Sequence, residues 1–165
     1  MKELSLAQAL MPLAAIADAY LANELDDEAR RFWGKNHEHE NQTPHCDIEL
    51  YAGRGGRELL TLADCFVAKE ALSTGIDLDG ALEPLVKITR AFHANELDDE
   101  ARKFRGEHLE HRNETPWKEI ELVAGRGGYR LLTLEDAIAG SAARAQAREE
   151  ARRVEQAREE AYGAA

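Results

Sequence analysis

The chain has little cysteine, a shortage of basic residues and no long apolar run, and each lack excludes something. Its two cysteines, Cys46 and Cys65, stand in unlike surroundings. That pattern does not suit the disulfide framework of a small secreted domain, and free thiols are the simpler reading. Lys and Arg number 21 against 32 Asp and Glu, a formal net charge of -11. Nonspecific affinity for nucleic acid or anionic lipid comes from Lys and Arg, so such binding is not expected. A basic protein partner is compatible with this charge. No stretch approaches the roughly 20 apolar residues needed to cross a bilayer. The start, MKELSLAQALMPLAAIADAY, carries Glu3 and Asp18 with Pro12 between them, which is not a signal-peptide pattern. The expectation is a protein of the cytoplasm with no membrane partner.

What the chain does have is itself, twice. Ala22–Arg30, ANELDDEAR, recurs unchanged as Ala94–Arg102. In that register no gap is needed. Leu10, Pro12 and Leu13 match Leu82, Pro84 and Leu85; Ile48–Leu50 match Ile120–Leu122; Ala52–Gly56 match Ala124–Gly128; Leu59–Leu62 and Asp64 match Leu131–Leu134 and Asp136. One module has been duplicated, and a fused dimer with a pseudo-twofold axis is expected.

Within the first module, Leu6, Leu10, Leu13, Ile16, Ala17 and Tyr20 fall at helical spacing and predict a helix over Leu6–Leu21. Asp26 or Asp27 can cap a short second helix that Gly34 ends. Lys35–Asp47 reads as an ordered loop. Ile48–Ala52 and Arg57–Leu60 flank a Gly-rich turn and predict a β-hairpin. Thr61 and Asp64 form a capping-box pattern that opens a helix through Leu72. The expected class is therefore α+β and helix-rich: a helix, short helix, loop, β-hairpin, helix module in tandem with pseudo-twofold symmetry. The divisions are 1–72, 73–140 and a charged C-terminal helix over 141–165. That last segment is Ala, Arg and Glu almost throughout, with Glu149–Arg153 at helical pairing distance. Its stripe of Ala147, Ala151, Val154, Ala157 and Ala161 is thin for a coiled-coil seam, and a projecting solvated helix is the reading.

Four groups of residues bear on function. The first is NELDDEAR, kept whole in both copies: Glu24, Asp26, Asp27 and Glu28, then Glu96, Asp98, Asp99 and Glu100. One acid suffices to cap a helix, and a run of them presents a negative surface to a basic protein partner. The second is GRGG, with Arg54, Gly55 and Gly56 matched by Arg126, Gly127 and Gly128. Paired glycines supply the positive φ of a hairpin turn, or turn N–H groups toward an anion that the arginine grips. The Lys-Ser/Thr ending of a P-loop is missing. The arginine could instead pair with Glu49 or Glu121. The third is Glu38, His39 and Asn41 with their twins Glu110, His111 and Asn113, which either order the loop or help hold a phosphate-bearing ligand. The fourth is His37, His39, His45 and Cys46, which have donor types suited to zinc. Of these, only His39 has a histidine at its matched position, so no metal and no cofactor are expected. No nucleophile accompanies the acids and imidazoles, since Cys46 is matched by Lys118 and Cys65 by Ala137. A non-enzymatic protein is the expectation.

The stretch ELDDEARRFWG…TP…IELYAGRGGRELLTLADC resembles a group of small uncharacterised bacteriophage and prophage accessory proteins, usually one module long. The resemblance covers both modules and stops before the tail. The second copy departs from it at Arg105 and Ala137. It implies a bacterial host cytoplasm and a protein that binds and blocks a host complex, such as an anti-CRISPR-like inhibitor of a nucleic-acid-targeting defence. A binder of a nucleotide or other phosphate-bearing ligand, using the paired GRGG turns, is the alternative. A monomer with an internal pseudo-dimer, or a dimer, fits either.

Overall fold

The computed structural model describes residues 4–22, 48–54, 57–94, 121–126 and 129–163, with side chains described over 4–22, 59–94 and 131–163. Helix α1 covers Leu6–Leu21. Strands β1 (Ile48–Arg54) and β2 (Arg57–Glu58) precede helix α2 (Leu62–Thr74). Helices α3 (Leu78–Ala81) and α4 (Glu83–His93) follow, then β3 (Glu121–Arg126), β4 (Tyr129–Arg130) and a helix α5 of 30 residues, Leu134–Gly163. The expected short helix after Asn23 and its twin lie outside the described residues.

Local chemistry sets the helix boundaries. Ser5 Oγ accepts from the Gln8 N–H at 3.1 Å while the Gln8 side chain accepts from the Ser5 N–H at 2.9 Å, a reciprocal cap that starts α1. Thr61 and Asp64 exchange the same bonds at the start of α2, at 3.2 and 3.0 Å. Thr133 and Asp136 repeat them at 3.1 and 3.0 Å before α5. Helix α2 stops at Gly75, whose φ of +74° is the left-handed conformation that glycine adopts freely. In the second copy the helix matching α1 is divided. Leu82 closes α3 with N–H bonds to Asp79 and Gly80, and Pro84 then stands in the first turn of α4. A proline there loses no helical bond, whereas its match Pro12 sits inside α1.

The core lies among the helices. Leu10, Leu13, Ile16, Leu60, Leu62, Leu82, Leu85 and Ile88 are the largest fully buried side chains. Each stabilises the fold by roughly 1.5–3 kcal/mol. Matched positions are buried alike: Leu10 with Leu82, Leu13 with Leu85, Ile16 with Ile88, Leu60 with Leu132, Leu62 with Leu134, Cys65 with Ala137 and Ala71 with Ala143. Helix α1 packs on α2, α4 packs on α5, and α1 also meets α5 across the two copies. Tyr20 and Phe66 meet edge to face at 5.4 Å between α1 and α2.

Two expectations about class are corrected here. The first is the α+β class, with a β-hairpin in each module. Of the residues with described side chains, 84% are helical and none lies in a strand, so the core that defines the fold is helical. Leu59 and Leu60 continue the strand pattern in sequence, yet Leu60 is fully buried in the helical core and sits in a bend just before α2. Strand pairing is a backbone matter over short stretches. The returning strands β2 and β4 are two residues each. The longer pairing runs between copies, β1 antiparallel to β3, in the order β2-β1-β3-β4. Its register pairs Glu49 with Gly125 and Gly53 with Glu121, matched pairs of the duplication, with Tyr51 facing its own match Val123.

The separate C-terminal helix is the second correction. No break occurs at Gly140, and α5 runs continuously from the capping box into the Ala/Arg/Glu stretch. Gly140 serves packing rather than termination, because a Cβ there would meet Leu85 Cδ1 at 2.6 Å.

Candidate functional site

Most of the residues singled out for function lie outside the described residues. These are Glu24, Asp26, Asp27 and Glu28; Glu96, Asp98, Asp99 and Glu100; Glu38, His39 and Asn41; Glu110, His111 and Asn113; Gly55, Gly56, Gly127 and Gly128; and the histidines and Cys46 considered for metal. Arg54 and Arg126 have described backbone. Arg126 is the register partner of Ile48, the first residue of β1, and Arg54 is the last. The two arginines therefore stand at opposite ends of the central strand pair, about 20 Å apart by the rise of an extended chain. The register also sets Glu49 beside Gly125, the neighbour of Arg126, and Glu121 beside Gly53, the neighbour of Arg54. Each arginine is thus brought near the acid of the other copy along the backbone.

Among the described side chains, the charged geometry that stands out lies where α5 meets α3 and α4. Arg144 is 5% exposed and donates from Nη1 to Glu83 Oε1 at 2.7 Å. One turn further along α5, Arg148 donates to Asp79 from Nε at 3.1 and 3.2 Å and from Nη2 at 2.7 Å. Two-pronged Arg–carboxylate contacts of this kind are directional as well as attractive. The hydrogen bond from Arg144 holds the Glu83 carboxyl below its ordinary pKa; burial opposes this, and the charges of Arg144, Arg90 and Lys87 add to it. In the first copy Lys69 of α2 binds Asp18 of α1.

Sequence reasoning did not find these contacts, but a signal was present in the comparison of the two copies. Arg144 matches Leu72 and Glu83 matches Met11; Arg148 matches Ile76 and Asp79 matches Ala7. Each change from apolar to charged on one helix is accompanied by an opposite charge on the other. In the first copy the uncharged counterparts leave Met11 60% and Ile76 71% exposed.

Cys65 is fully buried, and burial pushes its thiol far above the ordinary range, with Asp64 adding to the shift. A thiol held protonated is neither nucleophile nor metal ligand. No group of three His, Cys, Asp or Glu with metal-binding geometry occurs among the described residues. No described helix is long and apolar enough to cross a membrane. Beyond Arg148, α5 leaves the core, and every residue over 151–163 is exposed. Compared with known protein families, with curated proteins and with solved structures, the chain has no match in any of the three.

Proposed function

We propose that this chain is a non-catalytic, acidic interaction protein of bacteriophage or prophage origin. In this reading it works in the host cytoplasm, docks on a basic face of a host protein complex and blocks it, as an inhibitor of a nucleic-acid-targeting defence would. The observation that carries the reading is the acidic run ELDDE at Glu24–Glu28 and Glu96–Glu100, which lies inside the stretch ANELDDEAR retained without change at Ala22–Arg30 and Ala94–Arg102. Matched burial of the two copies in one helical core supports it, since a scaffold built twice offers each copy's surface twice. The overall charge of -11 favours approach to a basic partner and disfavours nucleic acid itself.

The test begins with tagged protein in a bacterial host and identification of the retained complex by mass spectrometry. Binding to that purified complex is then measured for Asp26→Lys, Asp27→Lys, Asp98→Lys and Asp99→Lys combined. The expected result is a weakening of about tenfold or more with the helical circular dichroism kept. The loss should be smaller at high salt, because the screening length is only about 8 Å near physiological ionic strength. Unchanged binding in that variant, with binding abolished by Arg54→Ala and Arg126→Ala, would replace the acidic-surface reading with an anion-binding one.

A further inference from the structure

Duplication creates a folding problem that this chain has to solve. Helices α2 and α5 are matched copies, and so are α1 and the pair α3–α4. The natural competitor to the observed fold is local. Only residues 75–77 separate α2 from α3, and helices joined by so short a loop readily pack antiparallel on each other. Local contacts also form early. The register of that hairpin coincides with the one α5 uses. Helix α5 brings Arg144 to Glu83 and Arg148 to Asp79. The matched residues are Leu72 on α2 and Ile76 in the linker. A turn between Ile76 and Asp79 would bring Leu72 to Glu83 in the same way.

We infer that the charges not shared between the copies form a pairing code that keeps α2 on α1 and reserves α4 for α5. The code is carried by one stripe on each helix. On α1 the stripe is Ala7, Met11 and Asp18; on α3–α4 its matches are Asp79, Glu83 and Arg90. On α2 it is Lys69 and Leu72, with Ile76 in the linker just beyond; on α5 the matches are Ser141, Arg144 and Arg148. In the observed pairing Lys69 meets Asp18, Arg144 meets Glu83 and Arg148 meets Asp79. Exchange the partners and all three ion pairs are lost. Helix α2 on α4 sets Lys69 against Arg90, two like charges, and covers Glu83 with Leu72. Helix α5 on α1 sets Arg144 against Met11. The guanidinium of Arg144 is buried in the observed fold, and a buried charge without a partner is strongly disfavoured. The exposed ion pair of Lys69 and Asp18 adds little by its own attraction. Its role is the repulsion it creates in the wrong arrangement.

That distinction sets the experiment. The double variant Asp18→Lys with Lys69→Asp keeps an opposite-charge pair between α1 and α2. It turns the competitor from repulsive to attractive, because the carboxylate at position 69 would face Arg90. Spin labels are placed on the full chain at Val67→Cys in α2 and His93→Cys in α4, both exposed, with Cys46→Ser and Cys65→Ala removing the native thiols. The parent gives one distance population between the labels. The double variant is expected to give a second population above about 10%, the upper end for an ordinary minor conformer. Adding Arg90→Asp restores like charges in the competitor and should return the single population. If the double variant does not fold, rescue of folding by Arg90→Asp supports the code, and failure of that rescue overturns it. A folded double variant with one unchanged distance population also overturns it.

Discussion

Arg144 and Glu83 meet at 2.7 Å with unequal exposure: the arginine side chain is 7% exposed and the glutamate 40%. The cost of breaking the pair therefore depends on which partner is lost. Glu83→Ala strands a buried guanidinium. Removing one partner of a fully buried pair costs roughly 3–5 kcal/mol, and the exposure of Glu83 reduces this to about 2 kcal/mol. The double variant Arg144→Leu with Glu83→Met restores the apolar pair of the first copy, and should recover most of that loss in denaturant titrations. The pH dependence has a definite sign. The folded pKa of Glu83 lies below its ordinary 4.5, so the contribution is complete above that value and fades as pH falls through the folded one. Stability curves of wild type and Glu83→Gln should converge in acid below pH 4.5 and separate at neutrality.

Cys65 should be silent to thiol reagents. In a Cys46→Ser background, Ellman's reagent at mildly alkaline pH should find no reactive thiol until denaturant unfolds the chain. Burial keeps this thiol protonated and out of reach. Fast labelling in native buffer would show that the packing of α2 against α1 opens readily.

The two matched capping boxes offer a comparison within one molecule. Thr61→Ala and Thr133→Ala each remove a hydroxyl that accepts a bond from the Asp64 or Asp136 N–H. Each should cost about 1 kcal/mol. The two sites share no hydrogen bond, so the double variant should lose close to the sum in equilibrium unfolding.

Gly140→Ala sets two effects against each other. Alanine is a better helix former than glycine by about 1 kcal/mol. Its Cβ, however, would come within 2.6 Å of Leu85 Cδ1, and Leu85 is fully buried with little room to turn. Overpacking of this kind costs roughly 1–3 kcal/mol, so the expected outcome is net destabilisation of about 1 kcal/mol. At Gly163 a methyl group would meet nothing within 4 Å, and Gly163→Ala should show no loss of melting temperature.

Helix α1 was legible from the apolar spacing of Leu6, Leu10, Leu13 and Ile16, and the structure adds the Ser5–Gln8 cap that sets its start. The start of α2 was legible from the Thr61–Asp64 capping pattern, and that of α5 from the duplication of it. The rest failed where one residue type serves two purposes. A module boundary was expected at Gly140, yet the helix runs through it and Gly140 is the point of close approach to Leu85. Leu59 and Leu60 extend a strand-like run, yet Leu60 belongs to the helical core. Pro12 and Pro84 are matched, and only the second coincides with a divided helix, where Gly80 replaces Gln8. The duplicated acids stand out in the sequence but lie outside the described residues. The pairing of Arg144 with Glu83 was not legible, because composition and periodicity carry no information about contacts this distant in the chain.

Gly75 ends α2, but its match in the second copy is Ala147, and there the helix continues. That single difference turns a closing element into a lever. From Arg148 to Gly163 the overhang is about 22 Å at the helical rise per residue. Tilting its base by about 10° would sweep the tip through about 4 Å by the same length. The fulcrum is the pair of guanidinium clamps on Glu83 and Asp79. A disturbance of either clamp would thus be magnified at Tyr162, far from where it was made.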